Sequence, residues 1–399
     1  MVSVFTANLH HSVGFYNIAL DINRSFLKGG SSLTQALVLF DLNWENIQNG
    51  QAWSAANTTM HELAAQVCRR LAVLEILDLR QQFEQRIQWL QSGYAASELL
   101  EDMQGRADTT AKLGVVYAKL GQLDTAITYY TQALDLYNDI SDQLGLANQL
   151  GNLGLAYAAK GNVKQAIQFY EKALNIDREL GERRGEGTDL GNLGNAYYYL
   201  GDYEKGIQYN QQHVNIAREI GDLQGEGDAL GAMGATIGNH PLALEHHQMY
   251  FAIAEAIGDK RGQATALGNM GVSFEGMDKL EKAFEYYSRQ LDLAKEIKDT
   301  RRRINAIGGL GNVFRKQGQL HEAMDQYQSQ LNLARAIGDP RAIGIALFHV
   351  ALCHGLQGDV DHAILLGEES LQMLEQLDDP THNMVRENLE KWKREIQHD

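Results

Sequence analysis

The run Leu190-Gly191-Asn192-Leu193-Gly194-Asn195-Ala196-Tyr197 recurs down the chain in close copies at a nearly fixed spacing. With its second glycine as marker, the copies fall at Gly114, Gly154, Gly194, Gly234, Gly271 and Gly311. The intervals are 40, 40, 40, 37 and 40 residues, and one more step of 40 reaches Ala351. A period of this size marks a solenoid, in which each unit buries its apolar face only against its neighbours. Function is then to be sought on the surface of an array, not in a single catalytic pocket.

The units are explicit over residues 107–377, which hold seven repeats. Each has a first helix carrying Leu-Gly-x-x-Tyr or a variant, a short turn, and a second helix with a small residue followed by an aromatic. The turn positions are Gly121, Gly161, Gly201, Gly238, Asp278, Gly318 and Gly358. The small residues of the second helix are Ala126, Ala166, Gly206, Ala243, Ala283, Ala323 and Ala363. Small side chains there let two helices approach closely, and Tyr130, Tyr170, Tyr287 and Tyr327 fill the gap beside them. Gly181, Gly221, Gly258 and Gly338 are placed to end second helices, and Asp222, Asp259 and Asp339 to cap the next ones.

Outside the array, Val13 to Leu27 and Leu33 to Ala55 carry apolar residues at helical spacing, so residues 1–57 read as a helical pair. Met1 to Asn8 shows no clear period and is expected to fray. Residues 58–106 read as a worn capping repeat, with Arg86 where Ala126 stands and Leu74 where Gly114 stands. A last helix from about Pro380 to Gln397 caps the stack over residues 378–399. The fold class is all-α, and with only three prolines in 399 residues long helices run uninterrupted.

Leu113-Gly114-x-x-Tyr117 with Ala126, Tyr130 and Ala133, repeated as Leu153, Gly154, Tyr157, Ala166, Tyr170 and Ala173, resembles the tetratricopeptide consensus. The consensus tryptophan and closing proline are absent, and the unit is longer than usual, like that of spindle-orientation adaptors, kinesin light chains and many bacterial signalling proteins. The resemblance covers roughly residues 58–377 and implies a right-handed superhelix, with the first helix of each unit lining a concave groove. A second resemblance concerns Phe40-Asp41-Leu42-Asn43-Trp44-Glu45-Asn46-Ile47, Trp53 and Trp89-Leu90. They are similar to the segment that joins the nucleotide-binding part of bacterial multidomain signalling (STAND) ATPases to their sensor repeats. An amphipathic helical pair alone gives the same pattern. If the resemblance holds, an NTPase or effector domain belongs outside this chain.

On the groove-lining helices the resemblance points to side chains one and four residues after the first glycine of each Gly-x-x-Gly pair. Asn152, Asn192, Asn195, Asn269 and Asn312 stand there, and Asn148 and Asn305 lie one turn earlier on the same face. An asparagine amide both donates and accepts, so a ladder of them matches the backbone of an extended peptide. The bland alternative is that these amides bond neighbouring helices or face water. Tyr197 takes the packing position, which leaves Tyr198 and Tyr199 nearer the groove as apolar area with a polar tip. Arg315, in the densest basic patch with Arg301, Arg302, Arg303 and Lys316, suits an acidic side chain or a terminal carboxylate, although a solvated charged face is the more ordinary explanation. The 37-residue interval removes about 4.5 Å of helix in repeat four and predicts a local notch, with Asn239 or His240 capping a helix that has Pro241 in its first turn.

A net charge of −16 argues against nucleic acid and against anionic membranes as partners. No long apolar run or signal peptide is present, and Cys68 and Cys353 lie far apart, so a cytoplasmic chain without a disulfide is the simplest expectation. No phosphate loop, His-Glu-x-x-His or paired Cys-x-x-Cys occurs. His349 and Cys353 share a helix face but read as packed interior, and His354 is turned away from them. No nucleophile has a recognisable partner, so the expectation is a non-catalytic chain without cofactor or metal. The leading function is a protein- or peptide-binding module, a signalling sensor or scaffold holding a partner segment in its groove. The alternative is a structural or assembly protein whose repeats mediate self-association.

Overall fold

In the computed structural model, residues 4–27, 31–77, 81–237, 240–377 and 379–398 are described. Among them the chain is helical throughout, with α1 (Val4–Leu27), α2 (Ser31–Ala56), α3 (Glu62–Ala72) and α4 (Phe83–Leu99) preceding the regular repeats. The repeats then run as pairs: α5 (Met103–Lys119) with α6 (Leu123–Asp139), α7 (Gln143–Ala159) with α8 (Val163–Leu180), and α9 (Arg183–Tyr199) with α10 (Tyr203–Ile220). They continue as α11 (Leu223–Thr236) with α12 (His240–Ala256), α13 (Lys260–Gly276) with α14 (Leu280–Glu296), α15 (Thr300–Lys316) with α16 (Leu320–Ile337), and α17 (Pro340–Leu356) with α18 (Val360–Gln376). The final helix is α19 (Thr381–His398). The chain falls into two compact units, residues 1–159 with 168–180, and residues 160–167 with 181–399. Each is an α-solenoid of helix-turn-helix pairs.

The marker glycine is explained by what lies across from it. A Cβ on Gly114 would sit 2.6 Å from the Tyr130 ring, and one on Gly271 would sit 2.6 Å from the Tyr287 ring. Gly154 faces Tyr170 and Gly311 faces Tyr327 in the same way. The first glycine of the pair meets the side chain one turn further along the second helix: Gly191 meets His213, Gly231 meets Tyr250, Gly268 meets Gln290, and Gly308 meets Gln330. The Gly-x-x-Gly pair is thus the face on which the two helices of one repeat touch. The tyrosine of Leu-Gly-x-x-Tyr adds a ring stack, Tyr117 on Tyr129, Tyr157 on Phe169 and Tyr197 on Tyr209, with centroids 5.2, 5.3 and 5.4 Å apart.

Turns and caps follow the sequence pattern. Gly121, Gly161, Gly201, Gly318 and Gly358 take φ between 75° and 82°, and Asp278 takes 58°. Asp222, Asp259 and Asp339 accept the N–H of Gly225, Arg261 and Ala342 at 3.0, 3.0 and 3.1 Å. Gly238 as a turn residue and Asn239 as a cap lie outside the described residues. His240 stands as the first residue of α12, with Pro241 following inside the first turn.

In repeat four, α11 has 14 residues where α9 and α13 have 17, so the missing residues come off the end of the first helix. The His240 imidazole packs against Gly276 at the end of α13, leaving no room for a side chain there.

Two expectations need correction at the front of the chain. Helix α1 begins at Val4, not Val13, because Phe5 packs edge-on against Trp53 at 5.1 Å and ties the first turns down. Arg86 is not a sign of wear: it is 2% exposed and donates from Nη1 to the Ala72 carbonyl at 2.5 Å and from Nη2 to the Leu74 carbonyl at 3.3 Å. It caps the carbonyl of Ala72, the last residue of α3, and adds a donor to the Leu74 carbonyl just beyond it. Among the described residues, no helix is long and apolar enough to cross a membrane.

Candidate ligand-binding site

In the second unit, α13, α15 and α17 lie side by side, and a cavity of about 510 Å³ opens on them. Asn269 and Val272 of α13, Arg301, Arg302, Asn305 and Asn312 of α15, and Ile345 and His349 of α17 line it. The second helices reach through the glycine faces to complete the wall with Tyr287, Gln290 and Gln330. Without side chains at Gly268 and Gly308, the amides of Gln290 and Gln330 come up to the cavity.

The wall is rich in neutral hydrogen-bonding groups. The Tyr327 hydroxyl donates to Asn312 Oδ1 at 2.7 Å, and the Tyr287 hydroxyl donates to a Glu275 carboxylate oxygen at 3.0 Å. Burial, helped by the positive charge of Arg315, pushes the His349 imidazole down to about 4. It is therefore neutral near pH 7, and its Nδ1 lies 3.0 Å from Gln330 Oε1, which fits the tautomer that donates from Nδ1. Gln290 is 4% exposed, and its Oε1 has no hydrogen-bond partner. A buried carbonyl left in that state is costly unless something from outside donates to it.

The cations at the mouth are committed elsewhere. Arg301 Nε pairs with Asp339 at 3.3 Å, Arg302 Nη1 with Asp299 at 2.6 Å, and Arg341 Nε with Asp379 at 2.5 Å. A second, smaller cavity of about 400 Å³ continues past Arg301 and Arg341 along the same helices. The wall is thus amide and apolar in character, with its positive charge neutralised by aspartates.

The sequence-derived residues divide accordingly. Asn269, Asn305 and Asn312 come together in this cavity. Asn192 is half-buried and Asn195 exposed on α9 of the same unit, and neither lines the cavity. Asn148 is exposed and Asn152 half-buried on α7 of the first unit, with Asn152 Nδ2 3.5 Å from Gln149 Oε1. Tyr198 and Tyr199 are exposed, edge to face at 5.6 Å, and the charges of Arg341 and Asp379 reach the Tyr198 phenol. Arg315 is half-buried behind the wall, where its positive charge bears on Tyr327 and His349. Lys316 pairs with Glu275 at 3.2 Å. Residues that the sequence reading missed are Gln290 and Gln330, which stand 40 apart in register and carry the signal that would have found them.

A scaffold of stacked helix pairs with an amide-lined cavity on its first helices defines a helical-repeat protein. Family models described as tetratricopeptide repeat match residues 105–179, 190–219 and 302–376, and the chain carries tetratricopeptide repeats there. No curated protein matches the chain in sequence. Among solved structures it is similar to aspartyl phosphate phosphatase F from Bacillus subtilis, at 13% identity and a TM-score of 0.59, over 84% of this chain and 95% of that one. It is equally similar to the Rap conjugation gene regulator of plasmid pLS20 in complex with the Phr* peptide, at 13% identity and a TM-score of 0.59, over 83% and 94%. A STAND protein with a tetratricopeptide-repeat sensor from Pyrococcus horikoshii matches at 17% identity and a TM-score of 0.54, over 91% of this chain. The match spans 55% of that protein, about half its length. At such identities the likeness is one of fold.

Proposed function

We propose that the chain is a non-catalytic, cytoplasmic peptide- or protein-binding module that takes an extended segment onto α13, α15 and α17, in the role of a signalling sensor or scaffold. The observation that carries this reading is the unpartnered Gln290 carbonyl in a wall shared with Asn269 and Asn305. Alternating amides of this kind match the N–H and C=O groups of a main chain. That a structural relative is seen with a peptide supports the reading. The aspartate-paired arginines favour a neutral segment over an acidic one. The test is selection of a displayed random-peptide library on the full chain, followed by binding of the enriched peptides to an Asn269→Ala/Asn305→Ala variant. Affinity is expected to fall about tenfold or more, from two lost hydrogen bonds of roughly 1 kcal/mol each. Equal affinity for both proteins would refute the site.

A second reading, self-association, is favoured by α2, where Val38, Leu39 and Leu42 are 55, 41 and 75% exposed. Contiguous apolar side chains on one helix face suit a like surface. Molecular mass across a concentration series should then rise for the native chain and stay monomeric for Val38→Glu/Leu42→Glu. A native chain that is monomeric throughout would exclude it.

A further inference from the structure

The last clear repeat departs from the two before it at three positions that meet in space. The aromatic packing position, Phe274 and Phe314 in the two preceding repeats, is His354. Forty residues on from Gln319 and Glu322 stand Asp359 and His362. The turn between α17 and α18 brings these three together: Gly358 takes φ 82°, and the Asp359 N–H donates to the His354 carbonyl at 2.9 Å. Asp359 then caps α18 by accepting the His362 N–H at 3.4 Å. Its two carboxylate oxygens lie 3.0 Å from His354 Nδ1 and 2.9 Å from His362 Nδ1. The imidazoles stack with centroids 5.4 Å apart, and one ligating atom from each residue lies within 4.8 Å of the others.

We propose that His354, Asp359 and His362 form a binding site for a single divalent transition-metal ion of the zinc class. Two imidazole nitrogens and one carboxylate oxygen make a donor set that suits zinc, cobalt or nickel, whereas calcium and magnesium prefer oxygen alone. The cap and the left-handed glycine hold the backbone of all three residues, so only side-chain adjustment is needed to close on an ion. His354, Asp359 and His362 have side chains 25, 41 and 64% exposed, which leaves the remaining coordination positions to water and gives an ion a way in. A bound ion ties the end of α17 to the first turn of α18. The site is separate from the amide-lined cavity, and its fate does not depend on that cavity's ligand.

The experiment is a calorimetric titration of the chelator-treated full chain with Zn²⁺, alongside a Co²⁺ titration read by its visible absorption. The native chain is expected to bind one ion with tetrahedral-type cobalt bands. His354→Ala and His362→Ala should each weaken Zn²⁺ by at least about tenfold, by analogy with losses seen on disturbing a metal's ligand sphere. Because the chain has 13 histidines, the decisive comparison is the His354→Ala/His362→Ala double variant. Its helical circular dichroism should match the native chain, and its melting temperature should not respond to Zn²⁺, whereas the native temperature should rise. No binding by the native chain, or equal affinity and an equal melting response in the double variant, overturns the proposal.

Discussion

Replacing Gln290 by methionine separates a side chain kept for binding from one kept for packing. Gln290 lies against Gly268 on the touching face of its repeat, 4% exposed, with Oε1 unpartnered. A buried acceptor in that state costs about 1–3 kcal/mol. Methionine has nearly the same volume, and a volume-conserving change costs less than about 1.5 kcal/mol in packing. The net expectation is a gain of roughly 1 kcal/mol, which for a unit of this size raises the melting temperature by about 2–4 °C. Binding should move the other way. A ligand N–H that reached Oε1 would be left unpaired against a thioether, so affinity for selected peptides should fall at least about tenfold. Thermal melting by circular dichroism and peptide titration by calorimetry read the two effects on the same samples. A lower melting temperature would mean that the amide is satisfied in the free protein. A higher one with unchanged peptide affinity would mean that Gln290 is no part of the site. Either result refutes the reasoning.

Alanine at Gly311 puts a Cβ into the Tyr327 ring and should cost about 1–3 kcal/mol of overpacking, measured by urea unfolding, whereas alanine at the turn-free, uncrowded Gly14 should cost far less. Asp299→Asn keeps the side-chain oxygen that accepts the Arg302 N–H at 3.0 Å but removes the charge that holds the Arg302 guanidinium at 2.6 Å. Stability should change by less than about 1 kcal/mol, and peptide selection should shift towards acidic sequences, as a repeat of the library experiment would register. Burial pushes His247 and His349 down to about 4 from an ordinary value of 6.5, so both are neutral when folded and take up a proton on unfolding below that value. Their contribution is complete above pH 6.5 and is lost as pH falls towards 4, by up to about 2–3 kcal/mol each. His247→Asn, which copies Asn210 against Gly194 in the preceding repeat, should flatten the acid limb of a stability profile.

What could be read from the chain alone follows from how far each interaction reaches. The Gly-x-x-Gly pair, the turn glycines and the capping aspartates act within one repeat, and the repeat prints each constraint several times, so periodicity exposes them. Ser141 and Lys298 adopt φ of 58° and 56° without being glycine, and the demand shows in the sequence only through register, 40 residues before Gly181 and Gly338. The start of α1 escaped because its first turns are held by Phe5 on Trp53, a contact across 48 positions with no repeat to announce it. At the site, the asparagines were found because they lie on first helices, which the tetratricopeptide resemblance places along the groove. Gln290 and Gln330 lie on second helices and reach the cavity only through the gaps at Gly268 and Gly308. A glycine chosen for close helix contact therefore also opens a window for the amide behind it, and one sequence feature serves packing and shapes the cavity wall together. The same limit explains His354. Judged along α17 it points away from His349 and Cys353, and the partners that give it a meaning, Asp359 and His362, come from beyond the turn. In an array whose units differ little, the informative positions are those where one repeat breaks the pattern and the broken positions touch.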